Sequence, residues 1–101
     1  MTKPTPTLAI LRDHREKILA LAERYGAYNL RVFGSVARGD ANQDSDVDLL
    51  VNFREGTSLF ELSGFQQDLR KLLDVSVDVV EDHPKLHERF RQHILKDTMP
   101  L

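Results

Sequence analysis

Apolar positions along this chain alternate between a helical rhythm and a strand rhythm. Leu8, Leu11, Ile18, Ala22 and Tyr25 recur at helical spacing, which predicts a helix from Leu8 to Tyr25 stopped by Gly26. Tyr28 to Phe33 reads as a strand ending at Gly34-Ser35. Ser35 is expected to cap a short helix through Val36-Ala37-Arg38, closed by Gly39. Asp40 to Ser45 is rich in turn formers. A second strand is expected from Asp46 to Phe53, with Val47, Leu49, Leu50 and Val51 buried on both faces, before a turn at Glu55-Gly56-Thr57. Ser58 is placed to cap a long helix carrying Leu59, Leu62, Phe65, Leu69 and Leu72 on one face, and Asp74 breaks it. Val75 to Val80 is the third strand, and Pro84 sits at the first turn of a last helix reaching about Lys96. The order α-β-α-β-α-β-α predicts an α/β (α+β) fold, a small mixed sheet flanked by helices. Residues 1–7, with Pro4 and Pro6, read as a flexible lead-in to a single domain over 8–101.

A chain of 101 residues holds one core. Its 41% hydrophobic and 30% charged residues are those of a folded protein. The 14 Lys+Arg against 16 Asp+Glu leave a net charge of −2, which is not that of a nucleic-acid wrapper or a polybasic membrane binder. Nucleic acid is therefore not expected as a direct substrate. Without cysteine there is no disulfide framework, thiolate zinc site or cysteine nucleophile. No apolar run is long enough to span a bilayer, and Met1 to Thr7 has no apolar core of the secretory kind, so a cytoplasmic location is expected.

The chemistry concentrates in Gly34-Ser35-Val36-Ala37-Arg38-Gly39-Asp40 and Ser45-Asp46-Val47-Asp48-Leu49. Alternation along a strand points Asp46 and Asp48 the same way, with Cα atoms about 6.6 Å apart. Two carboxylates side by side repel, and folding gains nothing from the pair. A shared divalent cation would remove the repulsion, and Mg²⁺ prefers such hard oxygen ligands. The plain alternative is a solvent-facing edge strand. In Val75-Ser76-Val77-Asp78-Val79-Val80, an aspartate among valines is costly unless it meets a cation or donors. If this strand pairs with the Asp46 strand, three carboxylates converge and two metals about 3.5–4 Å apart can bind; otherwise Asp78 ends a strand or makes a local hydrogen bond. Gly34-Ser35 at a strand-to-helix junction suits a phosphate, glycine allowing close approach and serine adding a donor. Two other motifs fail. Gly34 and Gly39 have P-loop spacing, but Asp40 and Ala41 stand where Lys and Ser/Thr are required. Asp40, Asn42 and Asp44 imitate the start of a calcium loop, but Ser45 and Val51 replace its glycine and glutamate.

Taken together, Gly34-Ser35, Arg38-Gly39 and Ser45-Asp46-Val47-Asp48-Leu49 resemble the signature of the DNA-polymerase-β-like nucleotidyltransferases, in particular the minimal nucleotidyltransferases, or MNT proteins. Asp78 falls where that family carries its third acidic residue. The resemblance implies Mg²⁺-dependent transfer of AMP from ATP, with pyrophosphate released. It further implies an antitoxin that silences an all-helical HEPN ribonuclease toxin by attaching AMP to a tyrosine. By the same resemblance Asp46, Asp48 and Asp78 are the metal ligands and catalytic set, with Asp78 the base for the acceptor hydroxyl. Gly34 and Ser35 bind the β- and γ-phosphates. Arg38 either assists with the triphosphate or makes a structural salt bridge.

Two other functions compete with protein adenylylation: transfer to a small molecule such as an aminoglycoside, and a non-catalytic antitoxin that masks its partner. The remaining features have ordinary readings. His83 and His87, one helical turn apart, form a polar face without a third metal ligand. Lys85, Arg89, Arg91 and Lys96 against Glu88 and Asp97 form a solvated face, and Phe60 and Phe90 are expected in the core. Asp40 and Asp44 read as solvated turn residues, and Ser45 as a cap for the strand that follows.

Overall fold

The computed structural model describes residues 5–101. Of the lead-in expected over 1–7, residues 1–4 lie outside the described residues, while Thr7 caps the first helix by accepting from Ile10 N–H at 3.2 Å. The helix expected over Leu8–Tyr25 is two helices, α1 (Leu8–Asp13) and α2 (Arg15–Tyr25), broken at His14. The run Arg12-Asp13-His14-Arg15-Glu16-Lys17 interrupts the apolar stripe, so nothing holds that turn against the core. His14 Nδ1 lies instead 3.0 Å from Ile10 O. Gly26, at φ 79°, closes α2 in the left-handed conformation.

β1 (Ala27–Phe33) begins directly afterwards and contains a bulge the sequence did not announce: Asn29 has φ 53°, and the pairing register shifts between Tyr28 and Arg31. α3 (Gly34–Arg38) starts at the glycine itself, so Ser35 lies inside its first turn and is not its cap. β2 (Val47–Phe53) starts one residue after Asp46. The expected capping of α4 (Leu59–Leu73) is found as a reciprocal box between Ser58 and Glu61. Its stripe is shifted, however: Phe65, Leu69 and Leu73 are buried, while Leu59 is 80% and Phe60 89% exposed. Its first turn has nothing packed upon it, so Phe60 is not core.

β3 (Val77–Glu81) starts later than expected because Asp74, at φ 54°, turns the chain and Val75-Ser76 are used in the approach. α5 (Glu88–Leu95) starts four residues after Pro84. His83 makes a turn of its own, accepting Lys85 N–H on Nδ1 and Leu86 N–H on its carbonyl, and His87 caps α5 through Nδ1. The two histidines therefore share no helix face, and Phe90 of α5 is 44% exposed, again not core. A last strand, β4 (Met99–Pro100), was not foreseen, since two residues carry no alternation to read.

The strands form one mixed sheet in the order β3-β2-β1-β4. β1 pairs antiparallel with β2 and β4, and β2 pairs parallel with β3 across the α4 connection. Leu30, Val32, Val47, Leu49, Val51, Val77 and Val79 form the core with Leu11, Ile18, Ala22, Phe65, Leu69 and Leu73 of the helical layer. Tyr25 of α2 bonds Asp68 of α4 at 2.5 Å, and Gly64 lets that ring lie against the α4 backbone.

The alternate residues face the other way: Arg31 and Phe33, Asp48, Leu50 and Asn52, and Asp78. Leu50 is fully buried there, outside the main core cluster, as is Ile94 of α5. α5 is tied over this part of the sheet by Asp82, which pairs with Arg31 at 3.2 Å and with Arg91 at 3.0 Å. The second face is thus divided between a part under α5 and a part that presents carboxylates.

Candidate active site

The second apolar strand delivers the site. Val47, Leu49 and Val51 anchor β2 in the core, which obliges Asp48 between them to face outward. Antiparallel register sets Phe33 opposite Asp48, so β1 ends and α3 begins beside that carboxylate. Gly34 is the point of contact. It has φ 73°, and a Cβ there would overlap Asp48 Oδ2 and lie 3.4 Å from its Cγ. Only glycine satisfies both the left-handed backbone and the approach. On the other side, parallel register sets Asp48 level with Asp78.

Burial, and then the charges of Asp78 and Asp46, push the Asp48 carboxyl up to about 6, and Arg38 opposes them. Asp48 is therefore the group on which the other two carboxylates converge electrostatically. That donor set has the chemistry of a hard divalent-cation site. It is not a closed one: among the described residues no three His, Asp or Glu side chains gather as a metal cluster. Asp78 instead has its ionic contact with Arg70, Oδ1 to Nη2 at 3.8 Å.

Arg38, left between two roles by the sequence, bonds Asp40 through Nε at 3.2 Å and Asp97 through Nη1 at 3.4 Å. Asp40 is thus an ion-pair partner as well as an exposed turn residue. Asp97 follows α5, so this pair ties the C-terminal segment to α3. Ser45 Oγ accepts Asn42 N–H at 2.9 Å and orders the turn ahead of Asp46. Asp46, Arg70, Asp74 and Ser76 line a cavity of about 440 Å³ beside the carboxylates, on the side of β3.

Sequence reasoning missed Arg70 and Gln66. Their available signal was position: they lie four residues apart on the helix leading into the Asp78 strand.

The family model described as nucleotidyltransferase domain matches residues 14–100. The chain belongs to that family. Within it the chain stands with the minimal nucleotidyltransferases: a solved structure described as a candidate minimal nucleotidyltransferase is 46% identical, with a TM-score of 0.82, covering 95% of this chain and 97% of the other. The protein adenylyltransferase MntA of Thermococcus cleftensis is 43% identical over 72 residues, which are 71% of this chain and 70% of the relative. The fold is also shared, at 19% identity and a TM-score of 0.66 over 88% of this chain and 69% of the other, with a structure of a tri-AMPylated Shewanella oneidensis HEPN toxin in complex with MNT antitoxin. No described helix is long and apolar enough to cross a membrane.

Proposed function

We propose that this nucleotidyltransferase moves AMP from ATP to a protein hydroxyl, a tyrosine of a HEPN toxin, and so acts as an antitoxin in the cytoplasm. The observation that carries the reading is Asp48, set between Gly34 on one side and Asp78 on the other. The adenylyltransferase relative supports the reaction, and the neighbour with a tri-AMPylated toxin supports the acceptor.

In this reading Gly34 and Ser35 hold the β- and γ-phosphates, and Arg38 exchanges part of its contact with Asp40 and Asp97 for the triphosphate. Asp46, Asp48 and Asp78 would hold Mg²⁺, which when bound would supply positive charge to offset the triphosphate and lower the pKa of the attacking hydroxyl. Asp78 takes the proton of the acceptor hydroxyl. The new bond joins that oxygen to the α-phosphorus, and the bond from the α-phosphorus to the bridging oxygen breaks, releasing pyrophosphate. Positioning of the reactants, together with the charge that a cation held at the carboxylates would supply, would account for nearly all of the catalysis.

Asp46→Asn with Asp48→Asn keeps both shapes and removes that charge. With labelled ATP, Mg²⁺ and a HEPN protein encoded in a neighbouring frame, the parent should add adenylyl groups at substoichiometric ratios. The double variant should lose transfer by several orders of magnitude while staying folded. A double variant that neutralises the partner as well as the parent, at the same low ratio, would establish masking instead.

A further inference from the structure

β3 is the outermost strand on its side of the sheet, with α4 packed against it. Backbone groups of alternate residues point to opposite sides of a strand. Ser76 O and Asp82 N–H bond to β2, at 2.9 and 2.7 Å, so Val77 and Val79 turn their groups outward, toward α4. Two side chains one turn apart on α4 meet them. Gln66 Oε1 accepts Val79 N–H at 2.9 Å, and Arg70 Nε donates to Val77 O at 3.1 Å. The residue bracketed is Asp78, and Arg70 also carries the Nη2 that lies 3.8 Å from the Asp78 carboxylate.

An ion pair at that distance and exposure holds little alone. The Nε bond to the β3 carbonyl fixes the guanidinium independently, so Asp78 meets a cation that is already in place. Arginine can do both because its donors form a rigid fork; lysine has a single charged nitrogen at the end of a flexible stem.

We propose that Arg70, with Gln66 beside it, is a positioning residue that sets the Asp78 carboxylate toward the acceptor hydroxyl. The role of Asp78 rests on the adenylyl-transfer reading above; the clamp itself does not. In the free protein, amide exchange at Val79 should quicken at least tenfold in Gln66→Leu, and unchanged exchange would overturn the clamp.

Arg70→Lys should lower kcat at least tenfold while the KM for ATP stays within twofold, because Gly34 and Ser35 are untouched. In an Asp78→Asn background the same change should cost less than twofold more. Parental kcat, or an equal loss in both backgrounds, would overturn the role through Asp78. Mn²⁺ affinity, read by paramagnetic resonance on the same four proteins, needs no turnover. Arg70→Lys should shift it at least threefold in the parent and less than 1.5-fold beside Asp78→Asn, whereas equal shifts would reject the coupling. A parent that transfers nothing yet shows both the exchange and the Mn²⁺ signatures would refute the adenylyl-transfer reading and leave the positioning of Asp78 standing.

Discussion

Asp48 meets three demands at one position: its neighbours in β2 bury it part-way, Gly34 crowds it, and Asp46 and Asp78 repel its charge. Its folded-state value of about 6 lies above the ordinary 3.8, so folding favours the protonated form. Stability from this group is therefore complete below the ordinary value and is lost as pH rises through about 6. Asp48→Asn copies the neutral form. It should raise Tm at pH 7.5 and give little gain near pH 4, by calorimetry at both values; an equal gain at both would assign the effect to something other than ionisation. Mg²⁺ should narrow the difference at pH 7.5, and chelation should restore it. Gly34→Ala tests the opposite wall. Left-handed strain alone costs about 1–2 kcal/mol, and overlap with Asp48 adds to it. Tm should fall, and ATP affinity by calorimetry should fall at least tenfold; retained affinity would remove Gly34 from the nucleotide site.

Helix packing sets a contest at Gly64. Alanine suits a helix interior better than glycine by about 1 kcal/mol. A Cβ at this position would stand 2.8 Å from Tyr25 Cε1, in a ring held by Asp68, and overpacking costs about 1–3 kcal/mol. Gly64→Ala should therefore lower the midpoint of urea unfolding, and a second change, Tyr25→Leu, should recover most of the loss. A stabilised single variant would show that the ring yields freely. The same scale shows what was legible beforehand. β2, α4 and their order could be read because Val47, Leu49, Val51, Phe65 and Leu69 repeat over several turns or alternations. The outward face of Asp48 followed from that pattern, whereas Asp46 lies just ahead of the strand. What escaped depended on partners distant in sequence. The break at His14 reflects a turn with nothing to pack against, and Leu59 and Phe60 are apolar without a neighbour. β4 exists only because Arg31 and Val32 offer it an edge. Arg70 was invisible as part of the site because its tie to Asp78 needs both α4 and the edge of β3 in place.

At the scale of the whole molecule, the Arg31–Asp82–Arg91 cluster fastens α5 to the sheet. The Asp82 side chain is only 11% exposed. Hydrogen bonds from Arg91, then from Arg31, hold its carboxyl below the ordinary range against the opposing effect of burial. That stabilisation is present above the ordinary value and lost as pH falls through the lowered one. Asp82→Asn should cost about 1.5–3 kcal/mol at pH 7, the scale of hydrogen bonds to a charged group. It should also flatten the fall in Tm below pH 4; an unchanged acid limb would place the acid-labile group elsewhere. The outer margins of the sheet have a further consequence. On one side Gln66 and Arg70 occupy backbone groups of β3; on the other, β4 is two residues long and one is Pro100, which has no N–H to offer. Among the described residues, both borders are thus partly blocked against pairing with an extended peptide. Borders blunted in this way disfavour strand addition and the fibrous self-assembly that follows from it.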